Sequence, residues 1–316
     1  MSRHVAIIGA GIAGLACGRR LTEAGCTVVI YERNPGLGGR CGTCRIDGMV
    51  FDHGAQYATA QSDAFRSYLM AARERDQAAR WPEEEHERQD DREAYVGIPG
   101  MSTLAGGLAP GADVRLKTEV TSLLHTAKGW AVGLANGDAE GCFSSVVLAV
   151  PAPRAISLLP EHPFRQRLET VRYAPCWAGL AAFGEALEVP DIVETGGPIQ
   201  WAARNNSKRG RPDVECWVMH ASVPWSRDRL EEEESVIALE LLETFGMQIG
   251  GTLPQTLHLS AHRWRHARVE HPLGEDFLHD EEWGIGVCGD GCIGPRVESA
   301  FLSGDALGRA MAGGGR

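Results

Sequence analysis

The sequence predicts an α/β fold in which a parallel, nucleotide-binding sheet is interrupted by an inserted antiparallel α+β unit. Three observations predict it. The chain opens on a strand, a glycine-rich turn, a helix and a second strand. Residues 174–225 read as antiparallel strands over one helix. Near the end, Ile285-Gly-Val-Cys-Gly289-Asp290 is a short apolar strand ending in an acid, followed by a helix from about Arg296 to Leu307.

The opening run carries the most chemistry. His4 to Ile8 is an apolar stretch of the kind buried in parallel sheets. It runs into Gly9-Ala-Gly11-Ile-Ala13-Gly14, then a helix to about Ala24 with Gly25 placed to cap it, then Thr27 to Tyr31 and Glu32. Gly9 permits the tight turn, Gly11 lets backbone approach a pyrophosphate, and Gly14 lets the helix pack on the strand. The helix N-terminus offers free N–H groups and a positive dipole to phosphates, and Glu32 can accept from ribose hydroxyls. This is a Rossmann-type dinucleotide site.

A second glycine turn distinguishes FAD from NAD. Arg33-Asn-Pro-Gly-Leu-Gly38-Gly39-Arg40 follows Glu32, and Arg40 can pair with a pyrophosphate. A nicotinamide dehydrogenase has no need of this loop, whereas a flavin held along its whole length does. Asp52-His-Gly54-Ala-Gln56-Tyr57 would let backbone lie against a flat ring. Asp290 can hold a ribityl hydroxyl, and the N-terminus of the last helix, at Arg296, Val297 and Glu298, can stabilise negative charge on a reduced isoalloxazine. No covalent tether is expected, so the FAD is noncovalent.

Helices are expected at about 62–76, 101–109, 151–171 and 227–247. Strands are expected at 113–126, 129–135, 142–150, 174–184, 198–205, 214–223 and 255–266. The strands near 113–135 suggest a meander, and 145–150 a return to the nucleotide-binding sheet. The acidic runs Glu83–Glu87 and Glu231–Glu234 read as solvated faces.

Composition excludes several functions. A net charge of −11 over 316 residues makes nucleic acid or an anionic membrane a poor partner. No apolar run reaches the ~18 residues of a spanning helix. The glycines inside Val5 to Gly18 argue against reading that run as a secretory signal. Nine scattered cysteines point to a reducing, cytoplasmic setting, and Cys41–Cys44 and Cys288–Cys292 lie too far apart in sequence for a usual zinc ribbon; no metal is expected. The partners expected are a small-molecule substrate and O2.

Five of eight tryptophans, at 177, 201, 217, 225 and 264, fall in the expected insertion. Taken singly each reads as core packing; together they suggest walls for a flat substrate. His262 is the one catalytic candidate, with a locally bonded strand histidine as its alternative. Arg204, Lys208, Arg209 and Arg211 form the only notable basic cluster, with Arg204 and Lys208 the nearest candidates for a positive rim.

The glycine fingerprint, Gly38-Gly39-Arg40, Gly54-Ala-Gln-Tyr57, Cys288-Gly-Asp290 and Arg296-Val-Glu-Ser-Ala300 occur in the order found in flavin-dependent amine oxidases. A closer resemblance is to renalase-like flavoproteins. It rests on Val96-Gly97-Ile98-Pro99-Gly-Met101, Trp201-Ala-Ala-Arg204-Asn205 with Ser207-Lys208, Ala261-His262-Arg263-Trp264, and the block from Cys288 to Gly304. The resemblance covers essentially the whole chain and implies a p-hydroxybenzoate hydroxylase-like architecture. The FAD-binding domain would comprise 1–65, 98–160 and 275–316, and the substrate domain 66–97 and 161–274. It implies FAD contacts at Ala13, Glu32, Arg40, Gln56, Tyr57, Val120 and Asp290. With Gly9, Gly11, Gly14, Arg33, Gly39, Arg296, Val297 and Glu298, these form the expected cofactor set.

The same resemblance implies a substrate: isomeric dihydronicotinamide dinucleotides (2- or 6-dihydro-NAD), oxidised to NAD+ with electrons passing to O2 as hydrogen peroxide. The substrate wall, drawn partly from the resemblance and partly from small or aromatic residues at strand ends, is Tyr57, Ala58, Thr59, Ala60, Gln61, Val96, Gly97, Ile98, Trp201, Asn205, His262 and Trp264. An amine oxidase acting on a small amine is the alternative. Such enzymes commonly place a lysine near the flavin N5, and Lys117, Lys128 and Lys208 do not fall on the strand where it belongs. A non-catalytic flavin sensor is a third reading. The chain departs from the renalase-like pattern at Ala58 and Gly291, where an aromatic is common, and at Pro295 and Ser299.

Overall fold

The structure, a computed structural model, describes residues 3–82, 93–109, 111–194 and 196–313. The acidic run at 83–87 lies outside the described residues. Six strands form the central sheet in the order Leu278–Asp280, Ile285–Val287, Ser145–Leu148, His4–Ile8, Thr27–Tyr31, Asp113–Arg115. All neighbours are parallel except the first pair. His4–Ile8 reads as unbroken apolar sequence because both faces are covered. Val5 and Ile7 enter one core with the helices Ile12–Glu23 and Val297–Gly313, while Ala6 and Ile8 enter another. That second core holds Trp130 and Phe143 of the antiparallel meander Val120–Thr126, Gly129–Leu134, Ala139–Phe143.

The two long helices touch through glycine. A Cβ at Gly304 would lie 2.0 Å from the Ala13 carbonyl oxygen, and one at Gly308 would lie 2.8 Å from that of Cys17. Only a residue without a side chain permits that approach.

Several expected elements divide. The strand expected at 113–126 splits at Lys117, whose φ of 53° turns the chain from the parallel sheet into the meander. The strand expected at 142–150 divides between Ala139–Phe143 and Ser145–Leu148, beside Cys142 at φ 69°. The helix expected at 151–171 becomes Ala152–Leu158 and Phe164–Leu168, because Pro160 and Pro163 cannot continue it. The helix expected at 227–247 becomes Val223–Asp228 and Glu234–Ile249. Its acidic run sits at the start of the longer helix, where the dipole favours negative charge.

The insertion is a five-stranded antiparallel sheet ordered Ile192–Val193, Ile199–Arg204, Glu215–Ala221, Arg172–Phe183, Thr256–His271. Its alternating residues part to two faces. Trp177, Phe183, Trp217 and Met219 pack under Glu234–Ile249, with Trp225 beside them. Leu180, Ala182, Cys216 and Val218 pack instead on the hairpin Cys44–Ile46, Met49–Phe51. A further small sheet, Ala58–Thr59, Ala94–Gly97 and Ala78–Arg80, and the helix Asp63–Glu74 share the core of the first and last helices. No helix among the described residues is long and apolar enough to cross a membrane.

Candidate functional site

One cavity of about 1620 Å³ runs along the C-terminal ends of the parallel strands and under the insertion. It exceeds the roughly 300–1,000 Å³ of ordinary small-molecule pockets and has room for an extended dinucleotide with a second ligand. Gly9, at φ +107°, makes the turn where a Cβ would collide with the Ala149 carbonyl oxygen at 2.6 Å. A Cβ at Gly14 would meet the Gly9 carbonyl oxygen at 2.0 Å. At Gly11 a Cβ would meet nothing within 4 Å: that side of the turn faces open cavity, at the N-terminus of Ile12–Glu23. Glu32, 6% exposed, is locked by Ala10 N–H at 3.0 Å and by Asn34 N–H and Nδ2 at 2.8 Å each. At the centre, Arg40 Nη1 and Nη2 donate to Asp290 Oδ2 and Oδ1 at 2.7 and 2.5 Å.

Beyond Arg40 lies a shelf, residues 52–57. The Gln56 amide donates to the carbonyls of Asp52 and Gly54, Ala55 N–H donates to the Arg40 carbonyl at 2.8 Å, and a Cβ at Gly54 would strike that same oxygen at 2.0 Å. The His53 carbonyl accepts from Trp264 Nε1 at 2.9 Å and His220 Nε2 at 3.3 Å. The His53 ring stacks on Trp264 at 5.1 Å and meets His262 edge-on at 4.8 Å. Trp201 lies 5.8 Å from His220. Together they make an aromatic wall. Burial depresses all three histidines, His53 and His220 to about 4, so the wall is neutral at physiological pH.

Behind the shelf is a buried charge cluster. Asp52 Oδ2 meets Arg211 Nη2 at 2.5 Å and Lys208 Nζ at 3.3 Å, while its Oδ1 accepts from Thr43 and from Met101 N–H at 2.9 Å each. Burial works to raise Asp52, but Lys208, Arg211 and the Met101 N–H hold it below the ordinary carboxylate value. Lys208, 1% exposed, also donates to Gln56 Oε1 at 2.8 Å and Asn205 Oδ1 at 3.1 Å, and burial brings it down to about 8.

Of the expected cofactor residues, Gly9, Gly11, Ala13, Glu32, Arg33, Gly39, Arg40, Tyr57, Val120, Asp290, Arg296 and Val297 line the cavity. Gly14 does not, its part being helix–strand packing. Gln56 points inward to Lys208, and Glu298 turns away to cap the Asp63–Glu74 helix, accepting from Gln61 N–H and Ser62 N–H at 2.8 and 2.7 Å. Of the expected substrate wall, Tyr57, Ala58, Thr59, Trp201, His262 and Trp264 line the cavity. Ala60, Gln61, Val96, Gly97, Ile98 and Asn205 do not. Val96 is fully buried in the core, and Asn205, also fully buried, ties Val50 O to Asp52 N and Lys208.

The positive rim assigned to Arg204 and Lys208 does not form. Arg204 turns inward to Glu215 at 2.5 Å and to the carbonyls of Leu187 and Val189, and Lys208 is in the buried cluster. His53, His220 and Tyr173 are cavity residues the sequence reading missed. His53 had a local signal, a lone histidine inside the small-residue stretch expected to face a ring. Tyr173 had none. Its hydroxyl fills the place a side chain at Gly291 would take, 2.5 Å from that Cβ, so an aromatic group arrives there from another strand.

Two family models match this chain: a NAD(P)-binding Rossmann-like domain over residues 7–71, and flavin containing amine oxidoreductase over residues 62–237. The second spans more than half the chain. The chain belongs to the flavin-containing amine oxidoreductase family. Among curated relatives, the zeta-carotene-forming phytoene desaturase of Myxococcus xanthus is 40% identical over 52 residues, and a 4,4'-diapophytoene desaturase of Staphylococcus aureus 44% identical over 50. Each match covers 16% of this chain and 10% of the relative. Among solved structures, an Exiguobacterium protein provisionally named a protoporphyrinogen oxidase superposes at TM-score 0.78 with 14% identity over 99% of both chains. A putrescine oxidase double mutant does so at 0.76 with 15% identity, over 98% of this chain and 99% of that one. At such identity the likeness is one of fold.

FAD is the cofactor of this flavin family, and the residues present fit it. The open side of Gly11, the locked Glu32 carboxylate and the Arg40–Asp290 pair lie in sequence along one cavity, where an adenine nucleotide, a pyrophosphate and a ribityl chain require an acceptor, a cation and an acceptor.

Proposed function

We propose that this family member is an FAD-dependent oxidase that takes a hydride from 2- or 6-dihydro-NAD and yields NAD+ and, with O2 and a proton, hydrogen peroxide. The observation that carries the reading is the charge of the cavity. Eight arginines line it against four carboxylates, Glu32, Glu119, Glu194 and Asp290, in a chain of net charge −11. Glu119 is paired with Arg154 and Asp290 with Arg40. Arg33, Arg45 and Arg268 form no ion pair among the described residues and remain to attract an anionic ligand beyond the flavin's pyrophosphate. The neutral wall of His53, His220, His262, Trp201 and Trp264 suits a planar heteroaromatic ring.

FAD held by the Gly9–Gly14 turn, Glu32, Arg40 and Asp290 would supply the two-electron chemistry that links the hydride donor to O2. The chain's part is to hold the donor ring near the flavin and exclude water. A dihydropyridine is already a hydride source, so no general base is required, and His262 serves as wall. We assign the FAD-binding half to 1–65, 98–160 and 275–316 and the substrate half to 66–97 and 161–274, with FAD noncovalent. Nine free thiols support a cytoplasmic setting.

The aromatic wall also supports a second reading, a small amine held by cation–π contact with Trp201 or Trp264. Anaerobic mixing of the oxidised holoprotein with 2- and 6-dihydro-NAD beside a panel of primary amines separates the two. Rapid flavin bleaching by the dinucleotides alone is expected. Bleaching by amines alone overturns the proposal, and no bleaching by either marks a binding protein.

A further inference from the structure

The Asp52–Lys208–Arg211 cluster holds one carboxylate and two cations, with side-chain exposures of 0%, 0% and 1%. No other ion pair joins it among the described residues. The remaining contacts of its cations are neutral: Lys208 to Gln56 and Asn205, and Arg211 to the carbonyls of Gly97 and Arg209. Arg211 Nε is buried with no hydrogen-bond partner among the described residues. Taking charges out of water costs several kcal/mol per ion unless each is matched. Here one positive charge is left over.

The surplus lies next to the cavity. Lys208 holds Gln56, whose chain neighbours Ala55 and Tyr57 both line it. The Lys208 ammonium sits 5.1 Å over the Trp81 ring, and Trp81 stands 6.4 Å from Tyr57 and 6.3 Å from Trp201. Lys208 is thus one ring behind the wall. Its charge already acts there, helping to keep His220 neutral. In a poorly solvated interior such a charge reaches further than in water.

We propose that the buried Asp52–Lys208–Arg211 cluster tunes the flavin: its surplus positive charge stabilises negative charge arriving in the cavity, and so raises the reduction potential of the bound cofactor. Two-electron reduction adds electron density to the ring system, and a fixed positive charge nearby favours that form. Lys208 and Arg211 are positioning and charge residues rather than catalytic ones, since neither touches the cavity. The inference rests on the proposed flavin function and on the isoalloxazine lying against the 52–57 shelf, the stretch whose sequence suits backbone lying against a flat ring.

The test uses holoprotein and reads the flavin midpoint potential by dye-coupled reduction, with FAD dissociation constant and thermal midpoint alongside. Lys208→Met and Arg211→Gln each remove one positive charge and are expected to lower the potential. Lys208→Arg keeps the charge and is expected to leave the potential in place, even where it lowers the thermal midpoint. Unchanged potentials in Lys208→Met and Arg211→Gln with flavin bound overturn the proposal, as does a fall in Lys208→Arg equal to that in Lys208→Met. If Lys208→Met does not fold, Arg211→Gln decides by the same criterion. Failure of the wild-type chain to bind FAD breaks the reading of the cavity instead.

Discussion

Arg40 and Asp290, 250 residues apart in the chain, clasp each other by two parallel hydrogen bonds across the middle of the cavity. The Arg40 guanidinium also reaches the carbonyl of His266 at 3.3 Å, and Tyr173 lies beneath it with 5.8 Å to the ring centre. The glycine turn, the last parallel strand and the insertion thus meet at one fork. Arg40 carries the planar, bidentate geometry that a lysine lacks.

Removing that fork should weaken FAD binding. A hydrogen bond to a charged group contributes about 1.5–3 kcal/mol, or roughly 10- to 150-fold in affinity. Arg40→Ala is expected in that range by fluorescence titration of FAD, with Arg40→Lys between it and wild type. Equal affinity in all three would remove Arg40 from the cofactor site.

Gly11 and Gly14 should separate folding from binding. Gly11→Ala meets no protein atom, so its thermal midpoint should stay near wild type while FAD affinity falls. Gly14→Ala drives a methyl into the Gly9 carbonyl and should lower both, by about 1–3 kcal/mol in stability. Chemical denaturation of the apoproteins reads the first quantity and FAD titration the second.

The neutral histidine wall predicts an acid-side loss of stability. His53 and His220 have folded values near 4 against about 6.5 when unfolded, so the unfolded chain binds more protons between those values. Their stabilisation is complete above about pH 6.5 and is lost as pH falls toward 4, roughly 3 kcal/mol for each ring. Urea midpoints should drop between pH 7 and pH 5, and His220→Gln should flatten that slope. A slope unchanged by the substitution would contradict the assignment.

Arg204→Ala should fail as a test of substrate capture and succeed as a test of stability. Its guanidinium pairs with buried Glu215, which in turn accepts from Trp217 Nε1 and Leu187 N–H. Stranding that carboxylate should cost about 3–5 kcal/mol. The loss should appear as a lower denaturation midpoint, with little dependence on salt below 0.5 M because the pair is shielded from solvent.

What the sequence made legible was local. The turn at Gly9, Gly11 and Gly14 and the carboxylate of Glu32 depend on neighbours within some twenty residues, and the turn and the carboxylate lie together at one end of the cavity. The Lys208 cluster was illegible because its carboxylate and its cations come from two stretches up to 159 residues apart, so a lysine in a polar-looking loop gave no sign of burial. Asn205 and Gln56 were drawn to the cavity by motif and instead serve that same cluster. Positive φ at Lys117, where one strand ends, and at Cys142, inside the strand Ala139–Phe143 just before the next break, falls on residues with no special tolerance for it and so left no sign in the sequence. Tyr173 standing in for a side chain at Gly291 required knowing which strand lay opposite.

The glycine contact between the helices Ile12–Glu23 and Val297–Gly313 has a consequence for biosynthesis. Translation delivers the phosphate-binding turn about 290 residues ahead of the helix that braces it, an interval on the order of 15–60 s at ordinary elongation rates. Until then the apolar face of Ile12–Glu23 has no final partner, and the wall contributed by Asp290 does not exist. A chain synthesised only part-way through this span carries the fingerprint without the pocket, so cofactor capture has to wait for Asp290 and the helix Val297–Gly313.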